Sequence, residues 1–196
     1  MTEGTVPPAI RLVRDFVNTY EPQTDVETWS TADALRNWLF EEHLVQTHAQ
    51  VTDTDLAVAL TIREGLRNIL LRHAGHEPDS GAVDALSDAL AGLPVRVDFH
   101  SDGYRLISTR SDDFGLALGQ VLDAVRRTTE DGTWPRLKVC ARDTCRWAFY
   151  DASRNQVRRW CSMAGCGNYI KMRRAYASRK SRAHNPEVPN LPAELS

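Results

Sequence analysis

The feature that most constrains this chain is its set of four cysteines, Cys140, Cys145, Cys161 and Cys166, the only ones among 196 residues. They form two C-x4-C pairs with fifteen residues between them. Each pair places two thiols on one turn, and the intervening segment brings the chain back to close a tetrahedron. Zinc takes such an all-sulfur set at about 2.3 Å. A closed set of four thiolates leaves no position for a reactive water, so the spacing predicts one structural zinc and argues against metal catalysis. The other arrangements open to these residues are two disulfides or four unlinked thiols. The stretch Met1 to Ile10 is polar and proline-containing, unlike a secretory signal, and the longest apolar run, Leu56 to Ile62, is broken by Thr61. Neither export nor a membrane span is expected, and a cytoplasmic chain keeps its thiols reduced.

The formal net charge of −2 hides a division. Residues 1–135 hold 11 Lys/Arg against 22 Asp/Glu, whereas residues 136–184 hold 13 Lys/Arg against only Asp143 and Asp151. The cysteines therefore lie in a segment that attracts polyanions, behind an acidic one. The expected organisation is an acidic domain over 1–133, a finger over 134–184 and a flexible, proline-containing tail over 185–196.

Periodicity fills in the first part. Ile10 to Tyr20 predicts a helix, with Ile10, Val13, Phe16 and Val17 inward and Pro7 and Pro8 before it. Asp25 to Thr31 reads as a loop, and Thr31 or Asp33 caps a helix presenting Leu35, Trp38 and Leu39. Thr52 to Asp55 caps a long helix to about His73, and a shorter one covers Ala82 to Ala91. Val95, Val97 and Phe99 then alternate with charged residues, His100 to Gly103 supplies a turn, and Tyr104 to Thr109 alternates again, which predicts a hairpin. Asp112 or Asp113 starts a last helix to Arg127. The fold class is α+β: a mainly helical N-terminal domain with a β-hairpin, then a small zinc-ribbon-like finger ending in a basic helix.

Within the finger, Trp147 and Phe149 alternate as a short strand would, and with Tyr150 and Trp160 they suit a miniature core, base stacking being the alternative. A helix over Gly167 to Arg182 aligns Lys171, Arg174, Ser178 and Arg182 in a basic row, and Tyr169, Met172 and Tyr176 in a second row able to pack on the zinc core. Phosphate contacts are expected from this helix and from Arg154, Arg158 and Arg159. The alternatives are a solvated charged face, or one that docks on an acidic partner.

The stretches Leu137 to Cys140, Cys145 to Asp151, Ser153 to Asn155 and Arg158 to Asn168 closely resemble the CGNR zinc-finger family. Its members pair that finger with an N-terminal domain called ABATE and are described as candidate stress-induced transcription regulators. The resemblance implies zinc on Cys140, Cys145, Cys161 and Cys166. It also implies a proposed DNA-binding role, for which the candidate contacts in this sequence are Arg154, Arg158, Arg159, Asn168, Lys171, Arg173, Arg174, Arg179, Lys180 and Arg182. Tyr169 stands where the family's name ends in Arg. Asp15-Phe16-Val17-Asn18-Thr19 is similar to the family's early D-F-x-N-T element, and Leu35 to Leu39 to its L-x-x-W-L segment. ABATE has been proposed to sense a ligand, which makes Asp15, Asn18 and Thr19 candidates for an effector, although such residues also close helices and tie loops.

His73 and His76 read as a solvated pair, and the Gly115/Gly119 spacing as close packing. No glycine-rich phosphate loop, nucleophile elbow or HExxH motif occurs, so a non-enzymatic protein is expected. The combined reading is a zinc-dependent DNA-binding regulator with an effector-sensing first domain. A zinc-stabilised protein-interaction module and a thiol-based redox sensor are the alternatives. Oligomeric state is open, with a homodimer among the possibilities.

Overall fold

The computed structural model describes the backbone of residues 6–184 and side chains to residue 180; the expected tail over 185–196 lies outside the described residues. The chain divides into two compact units, one ending at Cys161 and one beginning at Ser162. The boundary expected before Trp134, at 133/134, is a position within the first unit.

The first unit opens with α1 (Pro8–Val17), where proline's fixed φ suits the first helical position and Ala9, Ile10, Val13, Phe16 and Val17 are buried. This helix ends three residues sooner than its apolar pattern suggests. Asn18 caps it, donating to the Arg14 carbonyl at 3.0 Å, and Tyr20 enters a two-residue ladder, β1 (Tyr20–Glu21) with β2 (Val26–Glu27). Strands of two residues have no alternation to read, so in the sequence the segment resembles a loop. Helix α2 (Ala32–Glu41) starts on the Thr31 side chain, and α3 (Asp53–His73) on a reciprocal capping box between Thr52 and Asp55. Helix α4 (Ser80–Ala91) follows.

The expected hairpin is present as β3 (Val95–His100) and β4 (Gly103–Ser108), in continuous antiparallel register from Val95↔Ser108 to His100↔Gly103. Asp112 caps α5 (Asp113–Glu130) by accepting the Gly115 N–H at 2.9 Å. A Cβ at Gly119 would stand 2.8 Å from the Ser108 nitrogen, so glycine is what allows α5 to lie against β4. The core gathers α1, α2, α3 and α5 around Phe16, Trp29 and Trp38, whose rings meet edge to face at 4.9 to 5.8 Å.

A short hairpin, β5 (Leu137–Val139) with β6 (Ala148–Tyr150), belongs to the same core. Leu137, Val139 and Ala148 are fully buried within it. Three polar ties hold the hairpin there. The Asn18 amide donates to the Ala148 carbonyl at 2.9 Å and accepts the Ala148 N–H at 2.8 Å. Arg67 donates to the Arg146 carbonyl at 2.9 Å, and to the carbonyls of Val17 and Tyr20. His73 Nδ1 lies 2.7 Å from the Leu137 carbonyl, with the ring edge-on to Trp134. His73 is thus half-buried and bonded, contrary to the solvated pair expected of it, because α3 carries its last turn under β5.

The second unit begins with a π-type turn, Met163–Gly167, and continues as α6 (Asn168–His184). The Ser162 hydroxyl accepts the Gly165 N–H at 3.2 Å, and the Gly167 N–H returns to the Ser162 carbonyl at 3.0 Å. Met172 and Tyr176 are each 72% exposed and Tyr169 is 39% exposed, so the expected packing row on α6 is not buried.

Candidate metal centre

Cys140 leaves β5 directly, and Cys145 stands three residues before β6, so the first pair is mounted on a hairpin rooted in the core. The turn between them is closed by the Cys145 and Arg146 N–H groups, which both donate to the Arg142 carbonyl, at 2.9 and 3.3 Å. It is completed by Arg146 in the left-handed region at φ 49°. Cys140 N–H donates to the Trp147 carbonyl at 2.8 Å, and Ala141 N–H to the Arg159 carbonyl at 2.9 Å, which draws the Cys161 segment alongside.

The four sulfurs all lie within 4.8 Å of one another, and those of Cys145 and Cys161 are 3.7 Å apart. A tetrahedron with metal–sulfur bonds of about 2.3 Å has edges of about 3.8 Å, so the donor set fits one zinc. Electrostatics agree. Hydrogen bonds from Cys145 and Cys161 pull the Cys140 thiol down to about 2, while donating to Cys140, with its charge beside them, pushes Cys145 up to about 12 and raises Cys161 as well. Sulfurs this close cannot all ionise without a cation among them, and zinc supplies that charge. Backbone N–H groups of Arg142 and Cys161 also point at the Cys140 sulfur, and that of Trp147 at Cys145.

The loop between the pairs is organised by Asp151, a residue that belongs to no ligand motif. Its carboxylate is fully buried and accepts from Lys138 Nζ at 3.0 Å, the Ser153 N–H at 3.0 Å, the Ser153 hydroxyl at 2.5 Å and the Arg158 N–H at 2.9 Å. Burial alone would raise its pKa; the Ser153 and Lys138 bonds outweigh burial and hold the carboxyl below its usual range. Lys138 also reaches the Gln156 carbonyl at 2.5 Å. The one signal of this role in the sequence is that Asp143 and Asp151 are the only acids in a strongly basic stretch.

The expected DNA contacts separate into two groups. Arg158 is spent inside the finger: its guanidinium donates to the carbonyls of Trp160 and Cys161 and lies 4.9 Å from the Phe149 ring centroid. Arg154 and Arg159 are exposed on the first unit. On the second, Lys171, Arg173, Arg174, Arg179 and Lys180 are exposed, as is Asn168, whose amide donates to the Ala164 carbonyl at 3.2 Å. The side chain of Arg182 lies outside the described residues. Tyr169 stands one turn before Arg173, whose guanidinium lies 5.9 Å from the ring centroid.

The three effector candidates are not brought to one cavity. Asp15 pairs with Arg14 at 2.7 Å and Arg11 at 3.7 Å. Asn18 is engaged with Ala148, and the Thr19 hydroxyl donates to the Phe16 carbonyl at 2.9 Å while accepting from Arg63 at 3.3 Å. Two buried arginines that the sequence motifs do not single out, Arg63 and Arg67, organise this corner. Arg63 forms a two-pronged pair with Glu27 at 2.7 Å on each prong. A signal for them is present in the sequence: with Leu66 and Leu70 they share the inward face of α3, where a charge needs a partner. A hollow of about 670 Å³ opens elsewhere on the same unit, walled by Leu12, Leu44, Leu116 and Gln120, with Arg105 and Arg127 among its lining.

Four cysteine sulfurs on a core-rooted hairpin and a turn make this a zinc finger, and the family model of the CGNR zinc finger matches residues 136–179. The chain belongs to the ABATE family, described as "putative stress-induced transcription regulator", whose model matches residues 11–148. The two matches share residues 136–148, the stretch that carries β5 and the first two ligands. No curated protein matches the chain significantly. No described helix is long and apolar enough to cross a membrane.

Proposed function

We propose that this protein is a DNA-binding transcription regulator whose zinc finger presents α6 to the phosphate backbone. The observation that carries the reading is the character of that helix. Every residue from Lys171 to Lys180 is exposed, and the ten include five Lys/Arg. No carboxylate occurs from Ala152 to Pro186. A helix with no buried stripe gains little from packing and is stabilised by whatever neutralises its charge. Zinc fixes the turn from which it rises. Tyr169 beside Arg173 offers a ring and a guanidinium where the family pattern has an arginine. An effector, in this reading, enters the hollow near Leu12, Leu44 and Leu116, since the polar atoms of Asn18 and Thr19 are already engaged.

A salt titration of affinity for one DNA duplex tests the proposal. Lys171→Gln, Arg174→Gln and Arg179→Gln together should leave zinc content and folding intact. They should lower the slope of log K against log salt by about 0.9 for each phosphate that is no longer neutralised, or about 2 to 3 in all. Tyr169→Arg should bind as tightly as wild type or more so. An unchanged slope in a folded, zinc-loaded triple variant means that α6 does not touch DNA, and an acidic protein becomes the partner to seek.

A further inference from the structure

The β3–β4 hairpin has two edges, and only one is covered. Along β4, the Asp123 carboxylate of α5 accepts the Leu106 N–H at 2.8 Å, and Gly119 lets the helix close on Ser108. The outer edge of β3 pairs with nothing among the described residues. The alternation of an antiparallel ladder fixes which backbone groups that edge offers. Pro94 accepts the Thr109 N–H at 2.9 Å, so Arg96, Asp98 and His100, at two-residue intervals, also turn their backbone groups toward β4. Val95, Val97 and Phe99 turn theirs outward. The side chains of these three share one face and are 38%, 49% and 80% exposed.

We propose that this edge is a self-association surface, on which β3 pairs antiparallel with β3 of a second copy about a two-fold axis at Val97. The charge pattern selects that occupant. Pairing about Val97 sets Arg96 against the partner's Asp98 and Asp98 against the partner's Arg96. It sets Val95 against the partner's Phe99 and Val97 against the partner's Val97. The three outward residues of each copy then exchange six backbone hydrogen bonds, and the apolar face becomes continuous across the axis. Slipping one strand by two residues in either direction centres the pairing on Arg96 or on Asp98 and brings like charges face to face. Charges flanking an edge ordinarily repel other strands. Here they are arranged so that the strand complements itself, as an isologous contact requires. This surface shares no residue with the zinc centre or with α6.

The test is sedimentation equilibrium on the full-length, zinc-loaded chain. Wild type should show a reversible monomer–dimer equilibrium. Arg96→Asp and Asp98→Arg each place like charges across the axis twice and should weaken the dimer about 10- to 100-fold, given the worth of cross-strand charge pairs. An equimolar mixture of the two variants should dimerise again, because each then faces its opposite. Val97→Pro should abolish the dimer without opening the hairpin, since the N–H it removes does not point at β4. Three results would overturn the proposal: a wild-type chain that stays monomeric at every soluble concentration, an Arg96→Asp variant that dimerises like wild type, or a mixture that remains monomeric.

Discussion

Replacing Asn18 with Ala removes both hydrogen bonds between the end of α1 and β6, and it does so where water has little access. Ala148 is fully buried, and its N–H and C=O have the Asn18 amide as their partner. Each backbone group orphaned in this way costs about 1 to 3 kcal/mol, so the pair together should cost about 2 to 6 kcal/mol. For a unit of this size, a loss of about 3 kcal/mol corresponds to a fall in Tm of about 6 to 12 °C. Asn18→Asp is the sharper variant. Its carboxylate still accepts the Ala148 N–H but faces the Ala148 carbonyl with no proton to give, so near-identical size should not rescue stability. Thermal unfolding of the zinc-loaded protein, followed by circular dichroism, measures both. If Asn18→Ala unfolds within a degree or two of wild type, the tie is not structural, and the residue is free for an effector after all.

Three further outcomes follow from the site. The purified, reduced protein should hold one zinc per chain by elemental analysis, and Cys161→Ser should lose most of it; a full complement in that variant would remove Cys161 from the ligand set. Chelation should raise hydrogen exchange over 140–147 and 151–167 while 137–139 and 148–150 stay protected, because Asn18 and His73 hold those strands without the metal. Burial lowers the His73 pKa, with Lys138 and Arg72 adding to it against the Leu137 carbonyl. The unfolded chain therefore binds a proton below about pH 6.5 that the folded chain refuses, and stability falls as pH drops through that value and levels off below the folded pKa. His73→Asn keeps a donor for the Leu137 carbonyl without a titrating ring, so it should flatten that part of the pH dependence; identical slopes would refute it.

Those elements that carry a period or a cap are legible in the sequence. Helix α3 is announced by Thr52 and Asp55, the β3–β4 hairpin by its alternation, and the metal centre by cysteine spacing alone. What stays hidden depends on contacts between distant residues. Nothing in Leu137-Lys138-Val139 says that it leaves the finger to complete a core begun at Ile10, since three buried residues look alike in either place. The charge division marks a change of surface, and surfaces need not follow cores. Asn18 illustrates the same limit: an amide at a helix end has the composition of a binding residue, and only its distance to Ala148 assigns it. The row of Tyr169, Met172 and Tyr176 has helical spacing but stays exposed, because spacing defines a face without burying it.

The hairpin shared by the two family matches joins two equilibria. Cys140 and Cys145 hang from strands whose side chains are part of the core of α1 and α3, so the geometry offered to the metal is set partly by that core. A molecule that changes zinc affinity by some factor through α1 or α3 must have its own affinity changed by zinc by the same factor. The competition between this protein and a metal buffer is therefore a gauge of its helical core. It can reveal any molecule that binds that core, through nothing more than a shift in the free zinc concentration at which the finger fills.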